Sequence, residues 1–501
     1  MPQLPTNTQI LAIVNIYNHM VRAMAKPTWA VVVIVVAQLA CVEGLGVNWG
    51  NQASQNLHPR NIVQMLKDNN ITKIKLFDAD TWVVKHFAAT GIEVMLGIPN
   101  IHLESLADRY SHAKAWVKAN LTRHIHQGGV DIRYVVVGNE PFLSAYNGSN
   151  LQTTFPALWN IQKAINEVGL GDRIKATIPQ NADVYDSGTK GPSAGDFRAD
   201  IRATMKQIVQ FLRDNNAPFV VNIYPFLSLS LNPDFPIEFA FFSGGAQPVQ
   251  DGSITYTNVL DANLDTLVSA LKKAGCGTVP IIVGEIGWPT DGDKYASVEL
   301  AKKFYDGFFN KIAMTKGTPL YKNSIEYYLF GLTDENLKSI APGDFERHWG
   351  IFTYDGQPKF AVDFLGRNTN KMPVAAKDVK YLEKKWCVYV STGETADVLA
   401  ANMDYACTNG DCTALKYGSP CSKLSNSSKV SYAFNMFFQM MYQDVEACDF
   451  GGLAKIVTKN ATVGNCLFPI ALDTDWAWSV AADVRSVFVV GLLVVLLLLE
   501  F

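Results

Sequence analysis

Between Leu45 and Arg367 the chain repeats one alternation: a short run rich in Val, Ile and aromatic residues, then a longer stretch with helical periodicity. The runs are Gly46 to Trp49, Lys73 to Phe77, Glu93 to Ile98, Arg133 to Val137, Arg173 to Ile178, Phe219 to Tyr224, Val279 to Val283 and Glu326 to Phe330. Their apolar residues fall on both faces, as in strands covered from both sides. Between them, Leu106, Tyr110, Ala113, Val117 and Leu121 recur at steps of three and four, as do Val298, Ala301, Tyr305, Phe308 and Ile312, which is one face of a helix. Eight strands alternating with helices predict an α/β fold, a (β/α)8 TIM barrel, with an open doubly wound sheet as the competitor. The barrel is favoured because polar or aromatic groups follow nearly every run, as in Phe77-Asp78, Gly138-Asn139-Glu140, Tyr224-Pro225, Gly284-Glu285 and Asp334-Glu335-Asn336. No glycine-rich phosphate loop follows the first run, which argues against a nucleotide-binding fold.

Cysteine placement divides the rest of the chain. Cys41 and Cys276 stand alone, whereas Cys387, Cys407, Cys412, Cys421, Cys448 and Cys466 crowd into the last quarter. The short paired spacings of a zinc site are missing there, so these six predict a disulfide framework in a small oxidised domain, and no metal or cofactor is expected. The polar stretch 368–380 reads as a linker, and 381–470 as the second domain. Sequons at Asn70, Asn120, Asn147, Asn426 and Asn460 fit a secretory context. A net charge of −3 with 18% charged and 48% hydrophobic residues argues against disorder and nucleic-acid binding and suits a neutral partner. The 11% aromatic content suits stacking on sugar rings, and packing alone also accounts for it.

Both termini carry targeting patterns. Ala30 to Ala40 is apolar and follows Arg22 and Lys26, the order of a signal peptide, with small residues before Leu45. Residues 1–44 are therefore expected to be a leader and N-terminal extension, whether synthesis starts at Met1, Met20 or Met24, and Cys276 is expected to be a free thiol. At the other end, 471–501 includes the apolar run Val487 to Leu499, which fits a GPI-attachment signal better than a plain tail or a spanning helix. The expected location is the secretory pathway and the outer face of the plasma membrane, cell wall or apoplast.

Two carboxylates stand at equivalent points of the barrel. Val-Val-Gly-Asn-Glu-Pro ends the fourth run with Glu140, and Ile-Ile-Val-Gly-Glu-Ile ends the seventh with Glu285. Glu140 alone is as well read as a capping or ion-paired residue. A closed barrel, however, aims both into one cleft, and two carboxylates are what glycoside hydrolysis requires.

The combination of Val137-Gly138-Asn139-Glu140, Gly284-Glu285-Ile286-Gly287-Trp288-Pro289, Gly46-Val47-Asn48-Trp49-Gly50, Lys75-Leu76-Phe77-Asp78-Ala79-Asp80, Gly91 to Asn100 and Asp334-Glu335-Asn336-Leu337-Lys338 resembles plant endo-1,3-β-glucanases of glycoside hydrolase family 17 over about 45–367. The resemblance implies a retaining glucan endo-1,3-β-D-glucosidase acting on 1,3-β-glucan (callose), with Glu140 as acid/base and Glu285 as nucleophile. It also places Asn139, Tyr224, Glu335, Lys338 and Glu346 near substrate. Glu335 and Lys338 fit a surface ion pair equally well, and Trp49 and Trp288 serve either as stacking platforms or as core. The chain departs from the family's usual pattern at Thr333 and Trp49. A catalytically weak glucan-binding protein, or a transglycosylase in which a sugar replaces water, uses the same residues.

The last domain resembles a plant six-cysteine carbohydrate-binding module of family 43, through Trp386-Cys387-Val388, Met403 to Cys407, Ser431 to Asn435, Cys448 to Gly452 and Cys466 to Pro469. Binding of 1,3-β-glucan is what this resemblance implies. Six cysteines allow 15 pairings, which spacing does not decide. Val430 to Tyr442 reads as a helix whose Tyr432, Phe434 and Phe437 belong mostly to the core. A small, mainly α domain and a monomer are expected.

Overall fold

The computed structural model describes residues 45–314, 317–367 and 369–474. Residues 1–44, expected to be a leader and containing Cys41, and the sequence from 475 onward, with the apolar run expected to be a GPI-attachment signal, lie outside them. The barrel is built from β1 (Leu45–Trp49), β2 (Lys73–Leu76), β3 (Glu93–Ile98), β4 (Asp131–Val137), β5 (Lys175–Thr177), β6 (Pro179–Asn181), β7 (Phe219–Asn222), β8 (Ile281–Ile286) and β9 (Glu326–Leu329). All neighbours pair in parallel, in the order β5-β4-β3-β2-β1-β9-β8-β7-β6. The two ends of this sheet are consecutive in sequence, so β5 and β6 are halves of one strand and the eight-stranded barrel closes. The break falls at Ile178, just before Pro179, which has no N–H to give the ladder. The open-sheet alternative is thereby excluded.

Helices cover the outside, and their local chemistry is conventional. Helix α1 (Pro59–Asp68) starts with proline at its first position and His58 as its cap, and buries Ile62, Met65 and Leu66. The periodic face from Leu106 to Leu121 is interrupted, because Arg109 is extended (φ −130°, ψ 111°) and α2 (Tyr110–Val117) begins after it. Helix α3 (Val298–Met314) buries Ala301, Tyr305 and Phe308 of the expected face together with Phe304 and Phe309, while Val298 in its first turn is exposed and Ile312 half-buried.

Inside the barrel, alternation sorts side chains into layers. At the N-terminal end Lys73 lies between Glu93 (3.0 Å) and Glu326 (2.9 Å). Met95, Val136, Val220, Ile282 and Tyr328 fill the middle. Gly46 makes room for Tyr328, whose ring would sit 2.4 Å from a Cβ there. Polar groups occupy the C-terminal end.

The C-terminal domain pairs β10 (Trp386–Tyr389) with β11 (Ala454–Val457) in an antiparallel ladder and adds α4 (Ala396–Asn409) and α5 (Asn426–Met440). Disulfides join Cys387 to Cys448, Cys407 to Cys412 and Cys421 to Cys466, while Cys276 is free and buried in the barrel. Tyr432, Phe434 and Phe437 are buried within this domain. Residues 471–474 belong to it structurally, since Leu382 N donates to the Ala471 carbonyl and Asp473 N to that of Lys380.

The stretch read as a linker is a strap along the barrel. Asn69 exchanges hydrogen bonds with the Val374 backbone at 2.8 and 3.0 Å, and Lys377 pairs with Asp68 at 2.6 Å. The domain itself docks on the barrel through Gln55, which donates to the Gln439 carbonyl (2.9 Å) and accepts from Leu472 N (2.7 Å), and through Tyr354 and Tyr381.

Candidate active site

Strict alternation along β8 places Ile282 and Gly284 inward and would turn Glu285 outward. The pairing register of β8 shifts against both neighbours at this point, between Val283 and Glu285 on one side and Val283 and Ile286 on the other. Such a bulge re-aims the following side chain. Asn48 fixes it by donating to the Gly284 carbonyl at 2.9 Å. Only glycine fits at 284, where a Cβ would meet Val220 at 2.5 Å and Asn222 Oδ1 at 2.9 Å. Glu285 is consequently buried at the top of the barrel, where the ammonium of Lys75 and the hydroxyl of Tyr224 donate to its two oxygens.

Glu140 arrives by a different device. Gly138 and Glu140 both have positive φ (78° and 49°), a conformation that non-glycine residues adopt only when their surroundings impose it. Asn100 bonds both sides of the Asn139 backbone, and Glu140 N donates to the Pro179 carbonyl at 2.9 Å. Asn222 Nδ2 donates to Glu140 Oε1 at 2.8 Å. Burial, and next the charge of Glu285, push the Glu140 carboxyl up to about 7.

The two acids thus differ in surroundings: one is desolvated and accepts only from the neutral amides of Asn222 and Asn181, the other lies between an ammonium and a phenol. Lys75 is fully buried, and burial lowers its ammonium from the usual lysine range, against the pull of Glu285 and Glu140. Its Nζ also donates to Asn139 Oδ1 at 3.3 Å and lies 4.2 Å above the Phe77 ring. This arrangement is suited to protonating one atom while a neighbouring carboxylate attacks.

The other expected residues divide. Lys338 pairs with Glu346 at 2.6 Å and lies 4.4 Å over the Phe330 ring, beside Tyr224 and Trp349. Neither the surface-pair reading of Glu335 with Lys338 nor a solvent-facing glutamate is seen. Glu335 is buried, accepts from Gln52 N at 2.9 Å and lies where a Cβ on Gly50 would stand, so it braces the loop after β1. Burial pushes its carboxyl above the ordinary glutamate value.

The stacking readings of Trp288 and Trp49 are corrected: both are core. Trp288 has no exposed surface, stacks on Phe241 at 4.6 Å and donates to the Tyr295 carbonyl. Trp49 is 6% exposed. Of the sequons, Asn70, Asn147, Asn426 and Asn460 are exposed, while Asn120 is half-buried with its amide bonded to the Trp116 carbonyl.

Lys75, Asn100, Asn222, Phe330 and Trp349 had no assigned role. Lys75 carried a usable signal: with Ile74 and Leu76 under the helices, a closed barrel turns Lys73 and Lys75 inward. Among the described residues no cluster of His, Cys, Asp and Glu is arranged to hold a metal ion.

The site agrees with what the chain is similar to. Residues 45–364 match the model of glycosyl hydrolases family 17, and 385–455 match that of the X8 domain. Glucan endo-1,3-beta-glucosidase 8 of Arabidopsis thaliana is 55% identical over 91% of this chain and 95% of its own length, and glucan endo-1,3-beta-glucosidase 5 is 49% identical over 91% and 93%. Among solved structures, CJP38, a beta-1,3-glucanase and allergen of Cryptomeria japonica pollen, is 33% identical, covers 64% of this chain and 99% of its own, and superposes with a TM-score of 0.61. A closed barrel with two converging carboxylates, matched over its whole length, places the chain in glycosyl hydrolases family 17.

Proposed function

We propose that the protein cleaves internal 1,3-β-D-glucosidic linkages of 1,3-β-glucan with retention of configuration, Glu140 acting as acid/base and Glu285 as nucleophile. The observation that carries this reading is the unequal setting of the two carboxylates at the ends of β4 and β8. Glu140, its carboxyl pushed up to about 7, gives its proton to the glycosidic oxygen as Glu285 attacks the anomeric carbon. The anomeric C–O bond breaks, and a glycosyl ester to Glu285 forms. Glu140, now ionised, takes a proton from water, which attacks the same carbon and frees Glu285. Lys75 and Tyr224 orient the Glu285 oxygens before attack and receive the charge when the ester breaks.

The identity and coverage of the glucan endo-1,3-beta-glucosidases support the substrate. The test is product analysis on laminarin beside Glu285→Gln: short oligomers released first as β-anomers support the reading, and α-anomers or activity retained by the variant overturn it. The C-terminal domain is assigned to holding polymeric 1,3-β-glucan such as callose. Secretion and a GPI anchor complete the proposal, supported by the leader and the apolar tail. Release of the protein from membranes by a phosphatidylinositol-specific phospholipase tests the anchor, and retention after the lipase refutes it.

A further inference from the structure

The loop after β9 forms one wall of the cleft, and its far side is gripped by the C-terminal domain. Arg347 Nη1 meets Asp411 Oδ1 at 3.0 Å, and Arg347 Nε donates to the Lys338 carbonyl at 2.8 Å. His348 Nε2 and Thr413 Oγ1 are 2.7 Å apart. Asp411 also accepts from the Thr413 N–H (3.0 Å) and hydroxyl (2.7 Å), so one carboxylate organises both contacts. From there a continuous set of contacts reaches Glu285. Lys338 Nζ bonds Glu346, Trp349 Nε1 donates to Glu346 Oε2 at 3.3 Å, the Trp349 ring packs 4.9 Å from that of Tyr224, and Tyr224 donates to Glu285.

We propose that Asp411 and Arg347 are positioning residues for sugar binding, through which the C-terminal domain sets the Lys338–Glu346 wall of the cleft. The proposal rests on the reading of this cleft as the glucan site. It gives the domain a task on every substrate, including ones too short to reach a separate binding surface. A domain joined by a free tether would only raise local polymer concentration and leave the cleft unchanged. Here the strap is bonded to the barrel and the domain is docked on it, which removes that freedom.

The test uses the full chain and the variants Arg347→Met, Arg347→Lys and Asp411→Asn, assayed on short soluble 1,3-β-glucan oligomers. Arg347→Met is expected to raise KM about three- to tenfold with kcat within about twofold, the pattern of lost binding without lost chemistry. Arg347→Lys should recover part of the loss. Combining Arg347→Met with Asp411→Asn should cost no more than the larger single change, because both remove one interaction. Amide exchange of 334–349 should accelerate in Arg347→Met, a readout independent of activity. Should the wild type fail on 1,3-β-glucan while exchange still accelerates, the substrate reading fails and the coupling stands. Unchanged KM with unchanged exchange overturns the proposal. So does an equal fall in kcat with KM unmoved. Asp411→Asn also disturbs Thr413, so Arg347→Met, which leaves the C-terminal domain's own bonds intact, decides the matter if the former unfolds.

Discussion

Asn100 closes two hydrogen bonds on the backbone of Asn139: its Nδ2 donates to the carbonyl at 2.9 Å, and its Oδ1 accepts from the N–H at 2.8 Å. The residue on one side of this clamp is Gly138 and on the other Glu140, both left-handed. A side chain at 138 would reach Asn100 Oδ1 at 2.7 Å, so the glycine and the amide are fitted to each other. The clamp converts the end of a buried strand into a turn that presents a carboxyl to the cleft.

Asn100→Ala is therefore expected to loosen Glu140 while leaving the barrel folded. Two part-buried backbone groups lose their partners, at a cost of about 1–3 kcal/mol in thermal unfolding. Misplacement of the acid should lower kcat by about tenfold or more with a smaller change in KM. A variant with wild-type kcat would show that the turn holds itself.

Lys75→Met should be more damaging. It removes the buried cation from Glu285 and fills similar volume, so the carboxylate keeps only Tyr224 as a donor. Breaking a buried pair from one side costs about 3–5 kcal/mol. Losing a charge-stabilising donor costs about a hundredfold in kcat. Both are checked by chemical unfolding and by kinetics on a soluble 1,3-β-glucan, and a kcat within tenfold of wild type would remove Lys75 from the chemistry.

All eight strands of the barrel were legible because buried parallel strands are local signals: a few Val, Ile and aromatic residues, then a turn. The two acids were legible because Glu140 follows such a strand and Glu285 is the last residue but one of another. The β8 bulge was not, since Gly284 reads as an ordinary inward position until its neighbours Val220 and Asn222 are known. Trp49 and Trp288 were ambiguous because tryptophan is equally suited to a core and to a sugar face. The docking of the C-terminal domain joins residues as far apart as Gln55 and Leu472, and no periodicity along the chain encodes such a contact.

Trp288→Ala should behave as a core truncation. Phe226, Phe241 and Phe304 surround the indole at 4.6–5.3 Å, and no part of it faces solvent. The expected loss is about 3–5 kcal/mol of stability. Measured well below the lowered Tm, KM for glucan oligomers should stay within about twofold, since truncating a core residue removes no sugar contact. A large rise in KM with little loss of stability would restore the stacking role.

The pH dependence of Glu140 gives a coupled test of activity and stability. As a general acid it must hold its proton, and with the carboxyl at about 7, kcat/KM should fall as pH rises through that value. The folded protein keeps this proton up to about 7, whereas the unfolded chain releases it near the ordinary 4.5. Protonation therefore favours the fold: the stabilisation is fully present below 4.5 and is lost as pH rises through 7. Glu140→Gln keeps an oxygen for Asn222 and carries no charge at any pH, so it should remove the loss. Relative to wild type, the variant should gain stability between pH 4 and pH 8, by at most about 3 kcal/mol. Parallel curves of Tm against pH for the two proteins would mean that the folded carboxyl titrates normally, and the assignment of the acid would have to be abandoned.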